Sequence, residues 1–137
     1  MELSFPLEFI VEGTPVSAQT KRPRSRHEWK ARVKAASQVG LPDGHWASTD
    51  RIATTLYYFP SAKVEGDVDN IVKFVLDALK KHLYVDDSQV ERVVVQKFEP
   101  QNVFAFTAPS AKLEEAILRE KPVLYVRLTN DPFEDLI

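Results

Sequence analysis

Two pairs of aspartates bracket one helical run: Asp67-Val68-Asp69-Asn70 before it and Asp86-Asp87 after it, with Lys73 between. Asp67 and Asp69 stand two residues apart, so in an extended lead-in both side chains point to one side. If Asp86 and Asp87 join them, three or four carboxylates converge and repel one another unless a cation is present. With no cysteine in the chain and only three histidines, such a donor set suits Mg²⁺ or Mn²⁺ rather than zinc. Metal-assisted hydrolysis of a phosphodiester uses a site of this kind, with water activated as nucleophile and charge stabilised in the transition state. Lys73, one turn beyond Asp69, would sit at the rim, holding a carboxylate or contacting a phosphate or leaving oxygen.

Each group also has an ordinary explanation. One of Asp67 and Asp69 can cap the helix and oppose its dipole. Asp86-Asp87 can be turn residues before a strand. Lys73 can pair with Asp69 or Asp77 at i,i+4 spacing, worth only about 0.3–0.5 kcal/mol. Convergence also carries a geometric condition. A helix from Asp69 to Leu83 is about 20 Å long at ~1.5 Å per residue, so the second pair reaches the first only if "LYVDD" doubles back along it.

Charge supplies an independent clue. Residues 21–34, KRPRSRHEWKARVK, hold seven Lys/Arg against Glu28 alone, a local +6 in a chain of net −2, leaving −8 elsewhere. Such asymmetry points to an anionic partner, nucleic acid first, and Lys21, Arg22, Arg24, Arg26 and Lys30 are the candidate contacts. The competing explanation is a solvated basic loop leading into a helix.

The elements that must position these residues follow from patterning. At 137 residues, 44% hydrophobic and 28% charged, the chain reads as one globular domain, residues 1–137. Strands are expected over 5–12, 51–59, 91–98 and 122–129, and helices over about 25–37, 69–83 and 110–120. The middle helix buries Ile71, Phe74, Val75, Ala78, Leu79 and His82 on one face. The expected class is α+β: a small mixed sheet of about four strands packed with about three helices in two layers. No apolar run is long enough to span a membrane. The opening MELSFPLEFIVEG lacks the basic leader of a signal peptide. These features, with the absence of cysteine, fit a cytoplasmic protein.

The run D-V-D-N-I-x-K-x-x-x-D-A-L at Asp67–Leu79, followed by Y-V-D-D-S-Q-V at Tyr84–Val90, resembles the signature of RusA-type Holliday junction resolvases. The close match covers roughly residues 66–95. The resemblance implies a small homodimeric, Mg²⁺-dependent endonuclease, often prophage-borne, that cuts four-way DNA junctions during recombination and repair. Carried over position by position, it implies that Asp67, Asp69 and Asp87 are catalytic and metal-binding, with Asp86 a further candidate ligand. Lys73 matches the family's lysine, and the KRPR stretch resembles the basic segment that many members carry after their first strand. The mildly acidic whole departs from the broad positive surface expected of a junction binder.

Two alternatives differ in class. One is a catalytically silent module that binds branched DNA. The other is a further Mg²⁺-dependent phosphohydrolase acting on nucleotides, which the extended basic segment disfavours. Among smaller signals, His82 reads as a core or interface histidine, and Trp29 and Trp46 as packing residues. The acidic tail 130–137 reads as a frayed terminus, with docking on a partner or on a neighbouring subunit's basic surface as its other reading.

Overall fold

The computed structural model describes residues 1–64 and 66–135; Leu136 and Ile137, the apolar end of the acidic tail, lie outside the described residues. Four strands make one mixed sheet: β1 (Leu7–Glu12), β2 (Ile52–Phe59), β3 (Val90–Lys97) and β4 (Val123–Thr129), in the order β1-β4-β2-β3. β4 is antiparallel to both β1 and β2, whereas β2 and β3 run parallel. The expected α+β class holds, with three helices: α1 (Pro23–Gln38), α2 (Val72–Leu79) and α3 (Ala111–Leu118).

Parallel pairing of β2 and β3 requires a crossover, and the crossover is the acidic motif itself. After β2 the chain passes through a 3-10 turn, Val68–Ile71, into α2, and enters β3 through a second 3-10 turn, Asp87–Gln89. α1 and α2 pack on one another and cover one face of the sheet. Trp29 and Val33 of α1 meet Phe74, Val75 and Leu79 of α2 over Leu56, Leu124, Val126 and Leu128 of the strands. α3 lies on the opposite face, where Leu113 and Ala116 pack on Phe59, Val123 and Tyr125. It covers only part of that face.

The helix expected over 69–83 is shorter. Lys80 leaves helical geometry and Lys81 takes a positive φ of 66°. Leu83 and Tyr84 are nonetheless fully buried, because the reversal folds them back onto the core. The buried Tyr84 hydroxyl donates to the Leu76 carbonyl at 2.7 Å, fastening the reversal to the last turn of α2. His82 therefore sits in this turn rather than on a helix face. Its Nε2 lies 3.0 Å from Ser37 Oγ, and its ring meets His45 edge-on at 5.0 Å. Burial, then the charges of His45 and Lys34, push its pKa below the usual 6.5.

Of the two tryptophans, Trp29 is buried as expected, but Trp46 is 58% exposed. Trp46 lies in the loop between α1 and β2, where no helix or strand covers it.

Candidate active site and nucleic-acid interface

The first acid pair sits near the start of the crossover from β2 to β3. The loop leaving β2 is held by Glu99, 8% exposed, whose carboxylate accepts the Val64 amide at 2.6 Å. Asp67 follows in extended conformation, and Asp69 lies in the first turn after it. The Asp67 carboxylate occupies the capping position yet makes no capping bond. Both carboxylates are exposed, and neither has a side-chain hydrogen bond or ion pair among the described residues. Capping thus explains neither. Asp67 lines a cavity of about 330 Å³ with Tyr58, Lys63, Asn70 and Lys97.

The second pair divides into two roles. Asp86 is a structural cap: its carboxylate accepts the Ser88 amide at 3.0 Å and the Ser88 hydroxyl at 2.6 Å. Gln89 reciprocates, its side-chain oxygen accepting the Asp86 amide at 2.8 Å, which completes a capping box. The Gln89 amide group then donates to the carbonyls of Ser48 and Asp50, each at 2.8 Å, tying the turn to the approach of β2. The Ser88 hydroxyl, followed by the Ser88 amide, holds the Asp86 carboxyl below its usual 3.8. Asp87 instead points away from this box and meets Lys80 Nζ at 3.3 Å.

Lys73 pairs with Asp77 at 3.5 Å rather than with Asp69. Asp77 and Asp87 both act on the Tyr84 hydroxyl: burial first, then these two charges, raise its pKa and keep it protonated. Lys73 and Asp77 thus share one stripe of α2, with Asp69 in the turn before the helix and Asp87 in the turn before β3.

The chain turns sharply after Leu79, where Lys80 leaves helical geometry. Even so, no group of three His, Cys, Asp or Glu side chains among the described residues comes close enough to hold a metal. Asp67 shares its cavity with Lys97, the last residue of β3, whereas Asp87 precedes Val90, its first. Those two strand ends are about 23 Å apart at ~3.3 Å per residue. What the structure brings together is Asp67 and Asp69, on one short turn and without side-chain partners among the described residues. That pair suits Mg²⁺, which commonly takes one or two carboxylates and completes its shell with water and substrate phosphate.

The basic segment reaches the same place. The amide of Ala18 donates to the carbonyl of Asn70 at 3.0 Å, fastening the loop before α1 to the turn that carries Asp69. Lys21, Arg22 and Arg24 follow within a few residues, all exposed. Pro23 starts α1, where its missing N–H costs nothing. Arg26 and Lys30 are half-buried on the helix, and Arg24 pairs with Glu28 at 3.1 Å. Arg32 serves the fold, donating to the Glu12 carbonyl at 3.1 Å. It packs over Gly13, whose φ of +115° and open α-carbon admit it: a Cβ there would lie 2.5 Å from the guanidinium.

A family model described as endodeoxyribonuclease RusA matches residues 13–104. The chain belongs to the RusA family. No curated protein matches it closely enough to serve as a named relative. The RusA match takes in the basic segment, both aspartate pairs, Lys73 and Glu99, and it ends before α3 and β4. The family is one of endodeoxyribonucleases. No helix among the described residues is long and apolar enough to cross a membrane.

Sequence reasoning had no signal for Glu99, a lone acid after a strand, nor for the hydrogen bond of Ala18 with Asn70. The capping box of Asp86 was present as D-x-x-Q and marks that aspartate as structural.

Proposed function

We propose that this RusA-family chain is a structure-specific endonuclease that resolves four-way DNA junctions by paired, Mg²⁺-dependent hydrolysis in recombination and repair. The observation that carries this reading is the Ala18–Asn70 hydrogen bond, which ties the loop leading into the basic segment to a turn whose two carboxylates have no side-chain partner among the described residues. Asp67 and Asp69 would hold the cation, with Mn²⁺ as a possible substitute. Bound there, the metal would polarise the phosphodiester and lower the pKa of a water nucleophile. Lys21, Arg22, Arg24, Arg26 and Lys30 would neutralise phosphates flanking the scissile bond. Lys73, at the start of α2, would orient or neutralise the reacting phosphate. Asp87 completes the set that the family motif implies, but it pairs with Lys80 and stands at the opposite end of β3 from Asp67, so opening that pair alone does not bring it to the same cation.

A four-way junction is roughly two-fold symmetric and needs cuts in two strands, so a homodimer with two such sites matches its substrate. Action on DNA in the cytoplasm fits the same reading.

A second reading has one observation in its favour. Asp87 is held by Lys80 and no three-carboxylate group forms among the described residues, as in a module that binds branched DNA without cutting it. One assay separates the two: a labelled synthetic four-way junction beside matched duplex, flap and splayed-arm DNA, with Mg²⁺ or EDTA. Paired Mg²⁺-dependent cuts confined to the junction support the nuclease. Tight binding without cutting, in Mg²⁺ and in Mn²⁺, supports the binding module.

A further inference from the structure

The sheet face turned away from α1 and α2 carries a larger groove, about 460 Å³ in volume, that the nuclease reading does not use. Its floor is Ala53 and Thr55 of the central strand β2. Arg92 of β3 stands opposite Ala53, and Arg127 of β4 stands opposite Thr55. Two guanidiniums thus flank a floor of small side chains.

The other end of the groove is aromatic. Tyr57 stacks on Tyr125 at 5.7 Å, and Phe106 tilts over Tyr57 at 5.6 Å. Glu8, across the β1–β4 pairing from Arg127, is occupied by the hydroxyls of Tyr125 and Ser110.

The arginine end is filled by the chain itself. Arg127 Nη1 donates to the Glu134 carboxylate at 2.7 Å, and Arg92 Nη1 donates to the Glu134 carbonyl at 2.8 Å. Through Asp135, then, the acidic tail lies on its own sheet and supplies the groove with a carboxylate. Arginine forks that hold a carboxylate match a phosphate equally well. Aromatic faces beside them suit a base, and unpaired strands are bound by this combination. The volume lies in the range of small-ligand sites.

We propose that this groove takes one nucleotide of an unpaired DNA strand, phosphate at Arg92 and Arg127 and base at Tyr57 and Phe106, with Glu134 occupying the arginine end until DNA displaces it. The choice of DNA rests on the endonuclease reading; the built groove and its internal carboxylate do not.

The test is fluorescence anisotropy of a labelled oligothymidine in Mg²⁺-free buffer. Glu134→Gln is expected to bind roughly threefold tighter or more, with log K falling against log salt more steeply by about 0.7, the slope for one single-strand phosphate. Adding Arg92→Ala and Arg127→Ala should abolish the gain, whereas Arg22→Ala with Arg24→Ala should leave it. Unchanged affinity in a natively folded Glu134→Gln protein overturns the proposal, as does a gain that survives loss of both arginines. If Glu134→Gln loses its native near-UV circular dichroism, Thr55→Met decides by filling the groove floor of the otherwise wild-type chain. Weakened oligothymidine binding then supports the proposal, and unchanged binding overturns it. Junction cleavage run in parallel separates the two readings. Cutting with no effect at Glu134 sinks the groove alone, and an effect at Glu134 without any cutting sinks the nuclease alone.

Discussion

The amide of Ala18 and the carbonyl of Asn70 meet at 3.0 Å, and that bond joins the loop leading into the most basic segment of the chain to the turn that carries the exposed acids Asp67 and Asp69. Among the described residues neither acid pairs with a lysine or arginine of that segment. A phosphate with its cation would satisfy both the acids and the segment.

Asp67→Asn and Asp69→Asn should each cut junction cleavage on the order of 100-fold or more. Stability should change by less than about 0.5 kcal/mol, because neither carboxylate has a partner to lose among the described residues. Junction binding should persist or tighten as repulsion of phosphate falls. Cleavage assays, thermal melts and anisotropy on the same preparations check all three; a large loss of stability would return these residues to a structural role.

Asp86→Ala should do the reverse, lowering the melting temperature by removing the cap of the turn before β3, while Asp86→Asn keeps most of it. Because the folded carboxyl titrates below 3.8, its contribution is complete above that pH and is lost as pH falls through the folded value. Melts from pH 6 down to pH 3 should therefore show a flatter acid limb in Asp86→Ala than in wild type.

Replacing Arg22 and Arg24 with alanine should weaken junction binding and flatten the salt dependence by about 0.9 for each phosphate that is no longer neutralised. The metal requirement should not move. Arg32→Ala and Gly13→Ala test the neighbouring structural use of arginine. Gly13→Ala should cost more than ~1 kcal/mol, since alanine is strained at positive φ and collides with the guanidinium. Equal loss of affinity in every arginine variant would deny the arm its special place.

His82 gives a pH dependence of known sign. Its folded pKa lies below 6.5, so the unfolded chain takes up the proton first as pH falls. The stabilisation is full above pH 6.5 and declines towards the folded value. Melting temperature should drop between pH 7 and pH 5, and His82→Gln should remove most of that drop.

How far these residues were legible beforehand depended on what kind of order held them. Strands with alternating or β-branched patterns, and α1 and α3, were readable because burial follows their period. The end of α2 was not. His82 and Leu83 continue the helical spacing, yet Leu83 and Tyr84 bury themselves by reversing direction, and Lys81 takes its positive φ with no glycine to announce it. The aspartate motif was legible as residue types at fixed intervals, and it lies within the stretch that the family model matches. Its D-x-x-Q spacing hints at the cap on Asp86, but the division from Asp87 is completed only by which carboxylate meets Ser88 and which meets Lys80. Glu99 and the Ala18–Asn70 bond join distant parts of the chain, and nothing local encodes them.

β4 lies between β1 and β2, and its pairing joins Leu7 to Leu128. Two of the three strand junctions therefore wait until residues 123–129 have been made. Until then β1 has no neighbour, and β2 can pair only with β3, through the segment that carries the aspartates. Pairings so distant along the chain slow folding through the entropy of closing long loops. A nascent chain at that stage shows bare strand edges, so premature termination before Val123 should yield an aggregation-prone fragment and not a smaller nuclease.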